Sequence, residues 1–177
     1  MLISHANIFA VSVSFILFIL IFYLIEKKLS KKKSIVYVII CALYATFLLT
    51  VTVLGRLPNS TSNIYNLFLT YKEYYNGNMG AKYDILYNIF LFIPVGLLTI
   101  RYKQVKFIIG VLLVLPIFIE FTQLVTSRGV FEITDIINNE IGGFIGFLIA
   151  LLFSILLQSI KQVLSNRRKD KKVERTE

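Results

Sequence analysis

The sequence predicts an all-α polytopic membrane protein, a single domain built as a bundle of about five transmembrane helices. Of its 177 residues, 56% are hydrophobic, and the mean hydropathy is +0.74. Several apolar runs approach the length of about 20 residues that crosses a bilayer as a helix. Lys and Arg cluster beside those runs, so membrane topology explains the net charge of +9 better than nucleic-acid binding does.

The apolar runs place the predicted spans in order. The five spans cover residues 8–25, 35–54, 85–100, 107–125 and 141–160. We expect the first span to be retained, because its basic residues follow the apolar run, the reverse of a cleavable signal peptide. With the N-terminus outside and the C-terminus cytoplasmic, 15 of the 19 Lys and Arg residues lie on the inner side, as the positive-inside rule favours.

The segments between the spans complete the predicted organisation. Residues 1–54 hold two N-terminal spans, 55–84 an outer loop, 85–160 a three-span core, and 161–177 a basic cytoplasmic tail that touches anionic lipid. After a turn-rich stretch at 58–63, apolar and aromatic residues recur at helical spacing: Ile64, Leu67, Phe68, Tyr71, Tyr74 and Tyr75. They predict a short amphipathic interfacial helix, or more simply an aromatic belt. The only cysteine, Cys41, excludes an intramolecular disulfide, and neither a cofactor nor a metal site is indicated.

Polar residues near the outer ends of three spans form the candidate site, because an ionisable group in lipid is costly unless something compensates it. The predicted polar cleft consists of Asp84, Asn88, Glu120, Gln123, Arg128, Asp135 and Asn139. Glu120 and Gln123 share one helix face, and we expect Arg128 to be the cation that pairs with Glu120. A purely structural knot of these three residues is the alternative.

The other polar members also have structural alternatives. Asp84 can stabilise the positive end of its helix, and Asn88 can bond across helices. Asp135 shares a face with Asn138 and Asn139, although helix capping explains one such residue without any chemistry.

Small residues and prolines are expected to shape the bundle around this cleft. The packing set is Pro94, Gly96, Gly142, Gly143 and Gly146. Gly142 and Gly146 form a small-xxx-small pair that allows the third or fourth span to approach closely. Pro94 and Pro116 are expected to kink their helices and open the cleft.

With these residues in place, the chain resembles the VanZ-like family. The resemblance rests on Asn88, the run Phe92-Ile93-Pro94-Val95-Gly96, the pair Glu120 and Gln123, Arg128, Asp135 with Asn139, and the glycines 142, 143 and 146, over about residues 63–149. It implies a membrane protein of the bacterial cell envelope and resistance to teicoplanin, a glycopeptide antibiotic, without implying a particular reaction.

Three functions remain open at this point. The first is a protein whose polar cleft engages a lipid-linked cell-wall precursor or a glycolipid headgroup, with membrane lipids as partners. The second is an intramembrane enzyme in which Glu120 or Asp135 serves as general acid or base and Arg128 stabilises negative charge. The third is a small proton-coupled transporter.

Overall fold

A computed structural model describes residues 5–30, 33–56, 67–102 and 104–173, and these residues form helices and their connections without any strand. The helices are α1 (His5–Leu29), α2 (Ile35–Leu49), α3 (Leu69–Tyr75), α4 (Met79–Thr99), α5 (Val105–Val125) and α6 (Ile133–Val173). A π-helical turn, Thr50–Leu54, extends α2, and a 3-10 turn, Ile100–Tyr102, extends α4.

Five helices of the described chain are long and apolar enough to cross a membrane, and α3 is the short exception. The prediction of an all-α protein with five spans is therefore confirmed, and the chain is a multi-pass cell-membrane protein. The side of the membrane that each terminus faces remains a prediction. Of the predicted loop, the turn at 58–63 and Ile64 lie outside the described residues, whereas the later aromatic residues belong to α3 or immediately precede it.

Two spans begin earlier than the apolar runs predict. α4 begins at Met79, where the Asn78 side chain caps the helix by accepting the Gly80 N–H at 2.9 Å. α6 begins at Ile133 and extends to Val173, so residues 161–173 of the predicted tail continue the same helix. The polar residues that hydropathy assigns to loops therefore lie on the first turns of helices.

Close packing of α4 on α6 forms the centre of the bundle. A Cβ atom added to Gly146 would lie 1.9 Å from the carbonyl oxygen of Ile93, and one added to Gly142 would lie 2.1 Å from that of Ile89. A Cβ on Gly96 would lie 1.9 Å from the Gly143 carbonyl oxygen. Only hydrogen at these positions allows the two backbones to approach so closely.

Helices α2, α4 and α5 share the apolar core. Its members are Leu48, Leu91, Phe92, Val95, Ile108, Leu112 and Ile119. Both α4 and α5 continue through their prolines, Pro94 and Pro116, and the kinks remain a prediction.

The two ends of the bundle differ in chemistry. We call the end where α2 and α5 finish and α4 and α6 begin the polar end, and the opposite one the basic end. At the basic end Glu26 of α1, only 2% exposed, forms an ion pair with Arg101 after α4, with 2.6 Å between Oε1 and Nη2. The Arg101 guanidinium also lies over the Tyr37 ring, 4.6 Å from its centroid. Charge counting from sequence gave no indication of this pair.

Candidate functional site

Glu120 lies at the polar end, three residues before Gln123 on the same face of α5, and both side chains are almost fully buried. The Glu120 Oε2 atom accepts the backbone N–H of Glu132 at 3.1 Å. This hydrogen bond fixes the connection between α5 and α6 over the carboxylate. The carboxyl group that sequence placed inside lipid is therefore enclosed by protein.

Arg56, just after the π-helical turn, is the cation of this cluster. Its Nη1 donates to Gln123 Oε1 at 3.2 Å, and its charge acts on both Glu120 and Asp135. The contact needs Gly129, because a Cβ there would lie 2.7 Å from Gln123 Oε1 and 3.1 Å from Arg56 Nη1. Sequence reasoning missed Arg56, since an arginine after a span is read first as topology.

Arg128 has a different partner from the one expected. Its Nη1 donates to the carbonyls of Leu54 at 2.9 Å and Arg56 at 2.8 Å, and more weakly to that of Val53 at 3.4 Å. The expected pairing with Glu120 is wrong, because the guanidinium caps the C-terminal end of the second span, where helix carbonyls lack partners.

The turn after α5 explains this direction. Ser127 adopts a φ of +53°, Arg128 N–H donates to the Gln123 carbonyl at 2.9 Å, and Ser127 N–H donates to that of Leu124 at 3.1 Å. These bonds form a Schellman turn with serine at the position that usually holds glycine. The turn directs the Arg128 side chain away from Glu120 and toward α2.

Glu132 joins the start of α6 to α3. Its Oε2 accepts the hydroxyls of Thr70 at 2.8 Å and Thr134 at 3.1 Å, and the Thr70 backbone N–H at 3.3 Å. The Ile133 N–H donates to the Leu67 carbonyl at 3.0 Å. The short helix α3 is thus fixed onto the bundle by polar contacts, which an aromatic belt alone does not require.

The first turns of α6 carry polar atoms without partners. The Tyr71 hydroxyl donates to Asn138 Oδ1 at 2.7 Å. Burial and the nearby Asp135 charge raise the pKa of Tyr71, so its hydroxyl keeps the donated proton. Three buried atoms of the described site have no hydrogen-bond partner in the protein: Asp135 Oδ1, Asn138 Nδ2 and Asn139 Oδ1. Buried polar atoms are rarely left unpaired, so each calls for an explanation.

Helix α4 completes the site opposite these residues. The buried Asn88 side chain lies close to Asp135, and Asp84, one turn earlier and exposed, is among the charges that act on Asp135. Among the described residues, no group of three or more His, Cys, Asp or Glu side chains is arranged to hold a metal ion.

The unpaired atoms define the chemistry that the site can perform. Two are acceptors and one is a donor, the pattern that neighbouring hydroxyl groups satisfy, since each hydroxyl both donates and accepts. Arg56 is exposed at the rim and offers further N–H donors suited to a phosphate or carboxylate.

The structure brings together five of the seven predicted cleft residues: Asn88, Glu120, Gln123, Asp135 and Asn139. Asp84 lies at the rim, and Arg128 is turned away. The predicted cleft did not include four residues that belong to the site: Arg56, Tyr71, Glu132 and Asn138. Helical spacing had indicated Tyr71 and Asn138, whereas Glu132 carried no recognisable signal in the sequence.

Comparison with known proteins gives two matches. The family model described as VanZ/LLP1 matches residues 34–154. Protein VanZ of Enterococcus faecium is 36% identical over 66 residues, which cover 36% of this chain and 41% of that protein. The aligned part therefore spans less than half of that relative. No solved structure matches the chain.

Proposed function

The chain belongs to the VanZ/LLP1 family, and on that premise we propose that its polar end binds the hydroxylated headgroup of an envelope lipid or lipid-linked glycan and thereby supports resistance to teicoplanin. The observation that carries the proposal is the set of three unpaired buried atoms on α6. A ligand that offers hydroxyls to Asp135, Asn138 and Asn139 removes the cost of leaving them unsatisfied.

Arg56 extends the proposed site toward an anionic group. The phosphate that joins a lipid to its headgroup, or a carboxylate on a sugar, can accept the N–H groups that Gln123 leaves unused. The excess of basic residues at the opposite end supports placing this site at the outer surface. A headgroup held there is withdrawn from lipoglycopeptide antibiotics that act at the membrane surface.

Replacing Asn139 tests the site sharply. Asn139→Leu keeps the branched shape of the side chain and removes an acceptor that has no partner within the protein. We expect the free energy of unfolding to be unchanged or higher, and teicoplanin tolerance to fall to the level of cells without the protein. The assay is teicoplanin and vancomycin tolerance in a sensitive host with matched membrane levels, in which vancomycin tolerance changes little.

Asn166→Leu is the matched control, because Asn166 lies exposed on the same helix. It should leave tolerance unaltered. Full teicoplanin tolerance with Asn139→Leu at normal membrane levels would overturn the headgroup site.

A second candidate function is supported by the enclosed carboxylates. Glu120 and Asp135 act on each other electrostatically beside Arg56, an arrangement that suits general acid or base catalysis on a lipid-linked substrate. Glu120→Gln and Asp135→Asn separate the two candidates. A binding protein keeps partial tolerance, because amides still form hydrogen bonds, whereas an acid or base catalyst loses nearly all of it.

A further inference from the structure

An apolar groove runs through the membrane-spanning part of the bundle, separate from the polar residues. It lies between α1, α2, α4 and α5 and has a cavity volume of about 180 Å³. Its lining includes Phe22, Ala45, Val95, Val111, Leu115 and Ile119. Well-packed interiors leave few voids of this size.

Three polar side chains along the groove donate their hydroxyls to backbone carbonyls, whereas the buried Tyr102 hydroxyl near the basic end has no hydrogen-bond partner in the described part of the protein. The Tyr37 hydroxyl donates to the Leu98 carbonyl, that of Tyr44 to the Leu91 carbonyl, and that of Thr99 to the Gly96 carbonyl at 2.8 Å. The space therefore faces mainly hydrocarbon. Water would find few partners there, so the groove suits an apolar occupant.

The dimensions of the groove select one kind of occupant. Along α5 its lining runs from Phe107 to Ile119, which is about 18 Å of helix at 1.5 Å per residue. A hydrocarbon core of about 30 Å holds two acyl chains end to end, so one chain extends about 15 Å. The groove accommodates a single acyl chain, whereas a long polyprenyl chain would exceed it.

The groove ends at the depth where the polar site begins. Ile119, the last groove residue on α5, is followed directly by the buried Glu120. On α2 the lining ends at Leu49, one residue before the π-helical turn that leads toward Arg56. A lipid whose headgroup meets these polar residues can therefore lay a chain in the groove.

Helix α1 forms one wall and packs mainly against α2. Phe18 and Phe22 line the groove with ring centroids 6.4 Å apart, yet among the described side chains of α1 only Glu26 is buried. The wall is held at the basic end through Glu26 and Arg101. The family match begins at residue 34, so this wall is outside the matched region.

We propose that the groove is an acyl-chain site that holds one chain of the glycerolipid whose headgroup occupies the polar end. The inference rests on the proposed function for the identity of the headgroup, and on the groove alone for the chain. It restricts the ligand to an acylated envelope glycolipid or phospholipid.

Photolabelling of the full-length protein tests the chain site. The probe is a phosphatidylglycerol with a diazirine in one acyl chain, incorporated into phosphatidylglycerol vesicles that contain the protein, with labelled residues identified by mass spectrometry. We expect groove residues such as Val111 and Leu115 to be labelled more strongly than Val114, which lies on the exposed face of α5 and contacts only bulk lipid.

Two matched variants sharpen this experiment. Val111→Trp fills the groove and should lower groove labelling about tenfold, whereas Val114→Trp, on the exposed face of the same helix, should leave it unchanged. Equal labelling of Val114 and the groove residues, or equal effects of the two variants, would overturn the chain site.

The two proposals fail independently. Asn139→Leu should leave acyl labelling of the groove intact, because the chain contacts do not involve α6 polar atoms. Groove labelling with undiminished tolerance in that variant refutes the headgroup site alone. If labels are spread evenly over lipid-facing residues, and Asn139→Leu still loses teicoplanin tolerance, the chain site alone is refuted.

Discussion

Replacing Gly146 with alanine should loosen the α4–α6 contact that positions the candidate site. The added Cβ would lie 1.9 Å from the Ile93 carbonyl oxygen, whereas ordinary contacts begin at 3.4 Å. The two helices must therefore separate locally by about 1.5 Å, because the three Ile93 atoms that the Cβ would meet all belong to the backbone and cannot rotate away.

The size of the effect follows from two opposing terms. Overpacking costs about 1–3 kcal/mol, and a clash between two backbones belongs to the upper part of that range. Alanine is favoured over glycine within a helix by about 1 kcal/mol, which offsets part of the cost. We expect Gly146→Ala to lower the free energy of unfolding by about 1–2 kcal/mol.

Gly110→Ala supplies the matched control. Gly110 lies inside α5, and a Cβ there would meet nothing within 4 Å, so the same substitution keeps only the favourable term. It should raise the free energy of unfolding by about 0.5–1 kcal/mol. The two alanine variants should therefore shift stability in opposite directions.

Equilibrium denaturation of the purified protein in mixed micelles measures both variants. Teicoplanin tolerance at matched membrane levels provides the second readout, because separation of α4 from α6 moves Asn88 away from Asp135. A Gly146→Ala protein as stable as Gly110→Ala would refute the close approach of the two helices.

Further predictions concern the connections at both ends of the bundle. Ser127→Gly should raise the free energy of unfolding by about 0.5–1 kcal/mol, because glycine adopts a φ of +53° without strain; an equal loss of stability would contradict the Schellman turn. Arg128→Met should lower it by about 1–3 kcal/mol in the same denaturation assay by uncapping the second span, and no loss would refute the cap. Gly129→Ala should reduce teicoplanin tolerance by displacing Arg56 from Gln123, and unchanged tolerance would remove Arg56 from the site. Glu26→Gln should weaken the attachment of α1, seen as faster proteolysis between the first two spans; Glu73→Gln, half-buried on α3, should not do so.

Much of the fold follows from the sequence because lipid imposes a simple rule. A backbone in hydrocarbon must satisfy its own hydrogen bonds, so long apolar runs become helices. The small-residue spacing at Gly142 and Gly146 likewise indicated a close neighbour, and α4 lies there. Helix ends were harder to place, since contacts with α3 and α4 cover the polar residues that open α6.

The roles of the two arginines show why the site was only partly predictable. Arg128 is nearer to Glu120 in sequence, and Arg56 lies 64 residues before it. Ser127, with its positive φ, reverses the chain, and the Arg128 guanidinium therefore donates to carbonyls at the end of the second span. Side-chain direction after a turn depends on such a backbone angle, and helical spacing contains no information about it.

The length of α6 has a consequence for work with this protein. Its 41 residues measure about 61 Å, and even a tilt of about 40° leaves about 47 Å along the membrane normal, well over a 30 Å hydrocarbon core. The final turns therefore stand clear of the bilayer as a rigid spacer. A fluorescent protein or affinity tag fused there would be held off the lipid surface, at the end of the bundle opposite Arg56 and Arg128.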